Sequence, residues 1–456
     1  MGRLLPLRAA FLGLVLQSVS GSCVSKNTST SAQTEIVERD VVILGGGATG
    51  AYTAVRLKDE GKSVAIVERD IKLGGHVDTT WGSTGVIEYG VQAYINNTET
   101  ADFFGRFNVS LNSSGLSNFP SNLVDFSTGF VIPNATAVNP FDYITPLINY
   151  LGTVSELFPF LADGAYDLPD PVPEDLLLPF GQFAAKYNLT EVIPVVWIFA
   201  QGVGNLLDAP TLYVLQNFGQ AHITGLVSGY VYAPVGNQAV YDAAEAFIGT
   251  DNIFFQSKAA NVTRSDEGVE VTLAGVTIRA KKLLVTIPPT IDNLAPFDLS
   301  ENETAIFQRW QNVPYYVGVT TGTGLADLTN YLNTNISSPY GLPSTPFVWR
   351  FETVGQPGYQ TIKVIGEPDS DAAKGLVTDA VAKIAANSST TFEAWEEHDN
   401  LQLHFTVDEI RDGTYKDMYA LQGHKNTYWA GNAWCSDYSP LIWAFVENRT
   451  LPALLE

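Results

Sequence analysis

The sequence DVVILGGGATG at residues 40–50 is the most informative stretch of this chain. Its apolar, mostly β-branched run at residues 41–44 predicts a strand that is buried on both faces of a parallel sheet. Gly45, Gly47 and Gly50 follow at once with the spacing G-x-G-x-x-G. In this pattern the first glycine permits a tight turn, the second lets the backbone approach a pyrophosphate, and the third allows close packing of helix on strand. The stretch therefore predicts a dinucleotide-binding unit with a helix N-terminus facing the phosphates.

The residues after the glycines favour a nucleotide site over a bare βαβ unit. Gly61 can end the helix, and residues 63–67 predict a second buried strand that ends at Glu68. Glu68 lies 18 residues after Gly50. An acid at this place accepts hydrogen bonds from an adenosine ribose and repels a 2′-phosphate, so we expect NAD or FAD rather than NADP.

Two further segments distinguish between these nucleotides. The sequence LGGH follows the second strand at residues 73–76, and IEYGVQ follows at residues 87–92. This succession resembles the flavin-containing amine oxidoreductase superfamily, which includes monoamine and polyamine oxidases, and within it a fungal branch typified by β-cyclopiazonate dehydrogenase. The resemblance implies that FAD is the cofactor and that it contacts Gly45, Gly47, Gly50, Glu68, Gly74, Gly75 and His76. His76 stands where the family usually has an arginine, and a plain loop is the alternative explanation for Gly74 and Gly75.

The resemblance extends over nearly the whole chain after residue 22. It implies an α/β fold: a Rossmann-like FAD-binding domain of the amine oxidase and p-hydroxybenzoate hydroxylase type, with an inserted α+β substrate domain. The expected FAD-binding domain consists of residues 36–99, 233–299 and 415–456. The expected substrate domain consists of residues 100–232 and 300–414.

The resemblance also implies cofactor contacts in the later FAD-binding segments. Val262 is the position where the family places backbone contacts to the adenine, and an ordinary strand valine is an equal alternative. Gly431 and Asn432, in the sequence TYWAGN, correspond to the turn that contacts the ribityl phosphate chain. A helix beginning near Pro440 would aim its positive end at the flavin pyrimidine.

Sequence patterns predict several further elements. Helices are expected at residues 140–160, 190–201, 238–248 and 441–448. Strands are expected at residues 253–255, 260–263, 269–273, 276–278 and along the run that ends at the Pro288-Pro289 pair.

The sequence leaves the catalytic side chains unidentified. In the family a lysine is hydrogen-bonded through water to flavin N5, but the sequence YYVG at residues 315–318 occupies the expected neighbourhood. Tyr316 and Trp349 are either pocket walls or core aromatics. Five aromatic residues of the first substrate segment are interpreted as core rather than as cofactor contacts: Tyr187, Trp197, Phe199, Tyr213 and Phe218.

The composition offers no recognisable metal site, because the five histidines form no H-x-x-x-H pair and the two cysteines are far apart. Some relatives attach their flavin through a cysteine in the region of Cys435. The local sequence departs from their motif, so a buried small hydrophobe is the preferred interpretation. There is no second G-x-G-x-x-G, so electrons are expected to enter the flavin from an organic substrate.

Residues 1–22 have the pattern of a secretory signal: two arginines, an apolar run at residues 9–16, then small residues. Eleven glycosylation sequons, against roughly four expected by chance, also indicate export: Asn27, Asn96, Asn108, Asn112, Asn134, Asn188, Asn261, Asn302, Asn335, Asn387 and Asn448. We expect a glycoprotein that is secreted or held in the lumen of the secretory pathway. The net charge of −23 argues against nucleic acid and anionic membranes as partners.

The sequence thus predicts a secreted FAD-dependent oxidoreductase that transfers a hydride from a small organic substrate to the flavin. The expected substrate is an amine or another molecule with an oxidisable C–H or C–N bond, and the resemblance implies a fungal secondary metabolite. Oxygen or another acceptor is expected to reoxidise the flavin. Two alternatives stay open: a flavin-dependent fatty-acid double-bond isomerase without net redox, and a non-catalytic protein that binds FAD. The oligomeric state is not predicted.

Overall fold

The computed structural model describes residues 35–114, 119–135, 137–386, 388–398 and 400–456. The predicted signal at residues 1–22, Cys23 and the sequons at Asn27 and Asn387 lie outside these residues.

The strands of the described residues follow one another in chain order. They are β1 (Glu35–Leu44), β2 (Val64–Val67), β3 (Thr79–Trp81), β4 (Val86–Glu88), β5 (Tyr94–Ile95), β6 (Asn112–Ser114), β7 (Ser121–Asp125), β8 (Phe130–Val131), β9 (Tyr230–Tyr232), β10 (Ile253–Phe254), β11 (Asn261–Ser265), β12 (Gly268–Thr272), β13 (Val276–Val285), β14 (Tyr315–Thr321), β15 (Asn330–Asn333), β16 (Phe347–Thr353), β17 (Gln360–Ile365), β18 (Thr391–Glu397) and β19 (Thr427–Trp429).

The α-helices of the described residues are interspersed with these strands. They are α1 (Ala48–Asp59), α2 (Thr98–Arg106), α3 (Ile144–Leu157), α4 (Glu174–Leu177), α5 (Phe180–Lys186), α6 (Ile193–Ala200), α7 (Thr211–Asn217), α8 (Gln220–Ser228), α9 (Gln238–Ile248), α10 (Glu301–Phe307), α11 (Ser370–Ile384), α12 (Val407–Arg411), α13 (Thr414–Tyr419), α14 (Ser439–Phe445) and α15 (Leu451–Leu455). A π-helical turn, Val446–Thr450, joins α14 to α15.

The first large sheet has a parallel part with the strand order β10-β2-β1-β13-β19. The antiparallel hairpin of β11 and β12 joins it along the first half of β13. The strands β1, β2, β13 and β19 all point the same way, so their carboxyl ends meet at one edge. In open parallel sheets, ligands bind in the crevice outside that edge.

The second large sheet has the strand order β18-β14-β17-β16-β15-β7-β8 and is mostly antiparallel. One face packs against α11 through a separate apolar core that contains Val124, Tyr316, Phe351, Ile362 and Val364. The other face turns toward the crevice of the first sheet. Two small sheets, β3-β4 and β5-β9-β6, complete the strand pairing among the described residues.

Local packing fixes the C-terminal helix beside the first one. The ring of Tyr52 on α1 stacks on Trp443 of α14 with centroids 5.5 Å apart. Arg56 forms an ion pair with Glu447, Nε to Oε1 at 2.6 Å, and the Tyr52 hydroxyl donates to the same oxygen. Because these contacts hold the two helices together, both helix N-termini lie at the crevice.

The predicted elements agree with the structure in some places and differ in others. The helix predicted at residues 238–248 is α9 with the same bounds, whereas the strand predicted at 276–278 and the later run to the proline pair form one continuous strand, β13. Pairing with β1 along the whole length of β13 keeps the intervening polar residues in the strand. No helix within the described ranges is both long and apolar enough to cross a bilayer.

Candidate functional site

A single cavity of about 1990 Å³ extends from the carboxyl edge of the first sheet to the front face of the second. Gly45, Gly47 and Glu68 line one end, and Tyr315, Val317 and Lys363 line the other. Ordinary small-molecule pockets occupy roughly 300–1,000 Å³. This cavity therefore has room for a cofactor and a second molecule together.

The glycine motif forms the floor of the cavity at the start of α1. Gly45 has a φ of +104°, a conformation that other residues rarely adopt. A Cβ on Gly50 would lie 1.9 Å from the Gly45 carbonyl oxygen, so the third glycine is required by helix-on-strand packing. A Cβ on Gly47 would lie 3.7 Å from Gly75 Cα, an ordinary contact, and it would occupy space beside the cavity. The space beside Gly47 is therefore available to a ligand and is not filled by protein atoms.

Glu68 lines the same end of the cavity, directly after β2. Its Oε2 accepts a hydrogen bond from the Gly46 N–H at 2.5 Å, and its Oε1 accepts one from the Asp70 N–H at 2.8 Å. Two carboxylate oxygens offer about four acceptor positions. The carboxylate is therefore held in place by the backbone and keeps capacity for the hydroxyls of a ribose.

The Gly74-Gly75-His76 loop lies against the first glycine loop. The Gly74 N–H donates to the Gly46 carbonyl at 2.9 Å, and both Gly74 and Gly75 have positive φ. His76 lines the cavity and stacks on the ring of His398 with centroids 4.2 Å apart. The segment at residues 87–92 lies along the cavity as well.

A buried acid–imidazole pair supports this stack. His398 Nε2 lies 2.8 Å from Asp78 Oδ2, and both side chains are buried. Burial raises the pKa of Asp78, and nearby Lys72 and His76 oppose that effect. The two histidines come from segments more than 300 residues apart, so the sequence had no signal for this pairing.

The expectation for Val262 is corrected by the structure. Val262 is a buried residue of β11 and is not part of the cavity wall. Its N–H donates to the Pro296 carbonyl at 2.8 Å, and its carbonyl accepts from the Asp298 N–H at 3.3 Å. The backbone that borders the cavity is at Ala259, three residues earlier, whose N–H and C=O bond to no other described residue. A ligand base would meet Ala259.

Gly431 and Asn432 line the cavity directly after β19. Gly431 has a φ of +109°, and a Cβ there would approach the Thr286 carbonyl oxygen to 3.3 Å. Asn432 Nδ2 donates to the Leu401 carbonyl at 3.1 Å. The terminal helix begins two residues earlier than predicted, at Ser439, with Pro440 in its first turn. Both of those residues also border the cavity.

Asp437 is a functional candidate that the sequence interpretation missed. Its carboxyl lines the cavity, and no hydrogen bond or ion pair reaches it from the described residues. Burial raises its pKa to about 8. Burial thus favours the protonated carboxyl of Asp437, and in that form the group is able to donate a hydrogen bond into the cavity. Its position just before the terminal helix was the one available signal.

Two neighbouring tyrosines of β14, Tyr315 and Tyr316, point to opposite faces of the second sheet. Tyr315 and Val317 of β14 point into the cavity, whereas Tyr316 points into the core against α11 and stacks on Trp395 with centroids 5.3 Å apart. Tyr316 is thus a core aromatic and Trp349 is a pocket wall. Alternation along a strand explains the difference, since neighbouring side chains point to opposite faces.

The five aromatic residues predicted as core all pack in the main hydrophobic core. Trp197 and Phe199 also border the cavity, whereas Tyr187, Tyr213 and Phe218 do not. Cys435 is fully buried, outside the cavity wall, and burial raises the pKa of its thiol. No group of three or more His, Cys, Asp or Glu side chains in the described parts of the chain is placed to hold a metal ion.

These features fit FAD. The open face of Gly47 admits a pyrophosphate, Glu68 keeps acceptors for a ribose, and the free backbone of Ala259 offers a donor and an acceptor to a base. The cavity then continues past Gly431 to the second sheet. A flavin extending in that direction would face the wall formed by Tyr315, Val317 and Lys363.

Comparison with known proteins gives the family. Residues 195–441 match the family described as flavin containing amine oxidoreductase, and residues 40–147 match FAD dependent oxidoreductase. β-Cyclopiazonate dehydrogenase of Aspergillus flavus is 35% identical over 429 residues, which are 91% of this chain and 92% of the relative. An FAD-dependent oxidoreductase of Colletotrichum higginsianum is 32% identical over 456 residues, covering 93% and 95% of the two chains.

Solved structures share the fold at low sequence identity. A fatty acid isomerase from P. acnes that produces CLA has a TM-score of 0.73 at 18% identity, covering 93% of this chain and 99% of its own. Putrescine oxidase bound to putrescine has a TM-score of 0.67 at 15% identity, covering 92% and 99%. The extent of the family match and the identity to full-length relatives agree with the cofactor cradle. The chain belongs to the flavin-containing amine oxidoreductase family and is an FAD-dependent oxidoreductase.

Proposed function

We propose that the protein is a secreted enzyme that takes a hydride from a small, largely apolar organic substrate and passes it to FAD. The observation that carries the proposal is the continuity of one cavity from Gly47 and Glu68 to the front face of the second sheet. A substrate held against that face would lie next to the inner end of the cofactor.

The residues around the cavity define what the protein would contribute. Bound FAD accepts two electrons, while the protein supplies binding, orientation and exclusion of water. The apolar wall beyond Tyr315 includes Trp197, Phe199 and Leu332. Such a wall favours an apolar substrate and keeps water from the reacting atoms.

The relatives suggest the class of substrate. The A. flavus relative is named for β-cyclopiazonate. A related substrate here would be a secondary metabolite with an oxidisable C–H or C–N bond. Oxygen or another acceptor would reoxidise the flavin.

Anaerobic reduction of the flavin tests this function. Purified holoenzyme is mixed without oxygen with candidate metabolites and amines, and the absorbance of oxidised flavin near its long-wavelength band is followed. We expect one substrate class to bleach the flavin stoichiometrically and to yield a product two hydrogens lighter. Product of unchanged mass with a shifted double bond, formed while the flavin returns to its oxidised form, would identify an isomerase instead.

The isomerase alternative rests on likeness of fold alone, because the isomerase from P. acnes is only 18% identical. A binding protein that holds FAD without catalysis would change neither the flavin nor the ligand. The same anaerobic experiment therefore separates all three functions.

Export is part of the proposal. Eight of the nine sequon asparagines in the described residues are exposed, and Asn335 is half-buried. The exposed ones are Asn96, Asn108, Asn112, Asn134, Asn188, Asn261, Asn302 and Asn448. Glycan attachment requires a surface position, so this distribution supports passage through the secretory pathway.

A further inference from the structure

One transverse row of side chains crosses the front face of the second sheet. Val317 of β14 lies opposite Lys363 of β17 on one side and opposite Glu396 of β18 on the other. Beyond Lys363 the row continues through Arg350 of β16 to Leu332 of β15, which pairs with Leu123 of β7. All of these residues border the cavity. The row therefore has a charged middle and an apolar end.

A β-bulge in β16 brings two side chains opposite Lys363. Val348 pairs with Val364 and Phe351 pairs with Ile362, so Trp349 and Arg350 together oppose the single residue Lys363. Such a bulge bends the strand and re-aims a side chain. Here both Trp349 and Arg350 reach the cavity, and the Arg350 guanidinium lies 3.9 Å from the centre of the Trp349 ring.

The two cations differ in how their charge is balanced. Arg350 forms an ion pair with Glu352, Nη2 to Oε1 at 2.7 Å, but its Nε has no partner in the described residues. Lys363 forms no hydrogen bond or ion pair with any described residue, and its ammonium lies 5.5 Å from the Trp349 ring. The local group of Lys363, Arg350 and Glu352 thus has a surplus positive charge in a chain whose net charge is −23.

The pKa of Lys363 is lowered to about 8. Burial is the largest cause, and the positive charge of the neighbouring Arg350 is the second. The group still carries its proton for most of the time at pH 7. Lys363 is partly buried, and the attraction of Glu352 opposes part of the effect of Arg350. A charge that is partly removed from water and has no direct partner is costly, and an anion bound beside it would offset that cost.

We propose that Lys363 and Arg350 form a subsite for an acidic group of the substrate, a carboxylate or an ionised enol. The apolar body of the same molecule lies along Leu332 and Leu123 toward the edge of the sheet. A protonated amine does not fit the middle of this row, because Lys363 and Arg350 would repel it. The assignment rests on the proposed function in taking this cavity as the place of the substrate, and it narrows the substrate to an amphipathic organic acid.

The remaining acids of the row lie away from this subsite. Glu396 is two strands from Lys363, a separation of roughly 10 Å at the usual strand spacing, and burial raises the pKa of its carboxyl. Glu352 is engaged by Arg350 and by Gln92, whose Nε2 donates to Oε2 at 3.1 Å. Neither acid blocks an anion at Lys363.

Ligand binding to the FAD-loaded protein tests the subsite without any turnover. Decanoate, decanamide and decylamine share one apolar chain and differ in head-group charge, and titration calorimetry measures the affinity of each. We expect decanoate to bind about 10- to 100-fold more tightly than decanamide, as charge-assisted hydrogen bonds do. Decylamine should bind more weakly than decanamide. Equal affinities for all three, or a preference for decylamine, would overturn the proposal.

Substitutions of Lys363 test whether the preference for decanoate depends on this side chain. Lys363→Met should lose the preference for decanoate while leaving decanamide binding unchanged, and Lys363→Arg should keep the preference. Lys374→Met is the matched control, because Lys374 lies 5.4 Å from the ring of Trp395 on the opposite face of the sheet. Retention of the flavin spectrum shows that each variant is folded.

Decanoate binding by Lys363→Met at wild-type strength would refute the subsite. Failure of the proposed redox function is a separate result. In that case the flavin would stay oxidised with every substrate while decanoate binding still depended on Lys363.

Discussion

Gly47 and Gly50 lie three residues apart in one motif, but an added methyl group would meet different surroundings at each. At Gly50 it would overlap the Gly45 carbonyl oxygen at 1.9 Å. At Gly47 it would meet no protein atom closer than 3.7 Å. The first glycine of this pair serves the ligand and the second serves the fold.

We therefore expect Gly47→Ala to fold normally and to lose FAD, with affinity reduced at least tenfold, because the methyl group occupies the place of the pyrophosphate. Gly50→Ala should instead lower the free energy of unfolding by about 1–3 kcal/mol or more, as overpacking does. Flavin content per protein and thermal unfolding of the apo form separate the two. A Gly47→Ala protein that stays fully yellow would show that the pyrophosphate lies elsewhere.

The residues that the sequence identified are those with a local pattern. Gly45, Gly47 and Glu68 stand in one βαβ unit, so spacing alone predicted that they would meet at the cavity. Val262 does not border the cavity, whereas Ala259 three residues earlier does, because strand alternation does not reveal where a loop approaches a cavity. Lys363 interrupts an apolar strand, QTIKVI, and that interruption was its available signal. Arg350 faces Lys363 because of the bulge in β16, and no sequence pattern predicted that bulge.

Among the elements, the hairpin of β11 and β12 is fastened to α10 by a buried ion pair. Arg264 on β11 donates to both carboxylate oxygens of Glu303 on α10, at 2.6 and 2.9 Å. Both side chains are fully buried, and Arg264 also pairs with Asp298. The contact joins the cofactor sheet to the segment that leads into β14.

Removing one partner of this pair should cost far more than removing an exposed partner nearby. Arg264→Met leaves the buried carboxylate of Glu303 without a counter-charge and should lower the free energy of unfolding by about 3–5 kcal/mol. Arg279→Met breaks the exposed cross-strand pair with Glu270 and should cost less than about 1 kcal/mol. Denaturant titration of both apo variants gives the comparison. Similar losses for the two would mean that Arg264 is not electrostatically important.

Elements with a clear period were predicted well, and joints between them were not. The amphipathic run of α9 was predicted at its bounds. The single strand β13 was divided in the prediction, because Arg279, Lys281 and Lys282 interrupt the apolar pattern where pairing with β1 continues. Pairing with β1 keeps that segment in a strand, and the sequence alone does not show which strand is its partner.

The two large sheets meet across one cavity. In the proposed function, the carboxyl edge of the first sheet holds the cofactor and the second sheet provides the wall for the substrate. The family resemblance predicted a cofactor domain with an inserted substrate domain. The sequence did not predict which residues of the second sheet line the cavity and which pack in the core. That depends on which face of each strand points inward, and only the structure shows it.

The proposed export makes a prediction for the whole chain. Expressed in a eukaryotic host, the protein should enter the medium or the secretory lumen without its N-terminal segment, and endoglycosidase should lower its mass by several glycans. Mass spectrometry of glycopeptides should find the exposed Asn188 occupied more fully than the half-buried Asn335. An unmodified cytosolic protein that keeps residue 1 would contradict the proposal.

The bulge in β16 has a consequence for how this enzyme could diverge. Trp349 and Arg350 together face one residue of β17, so loss of either by deletion would restore a regular pleat. The pairs Val348–Val364 and Phe351–Ile362 would stay in register, so such a deletion removes a single side chain from the cavity wall and leaves the core face of the strand unchanged. Point substitutions at Trp349 or Arg350 would alter the proposed acid subsite by degrees. Loss of Arg350 by deletion would remove one of the two cations of that subsite in a single step, without disturbing the sheet.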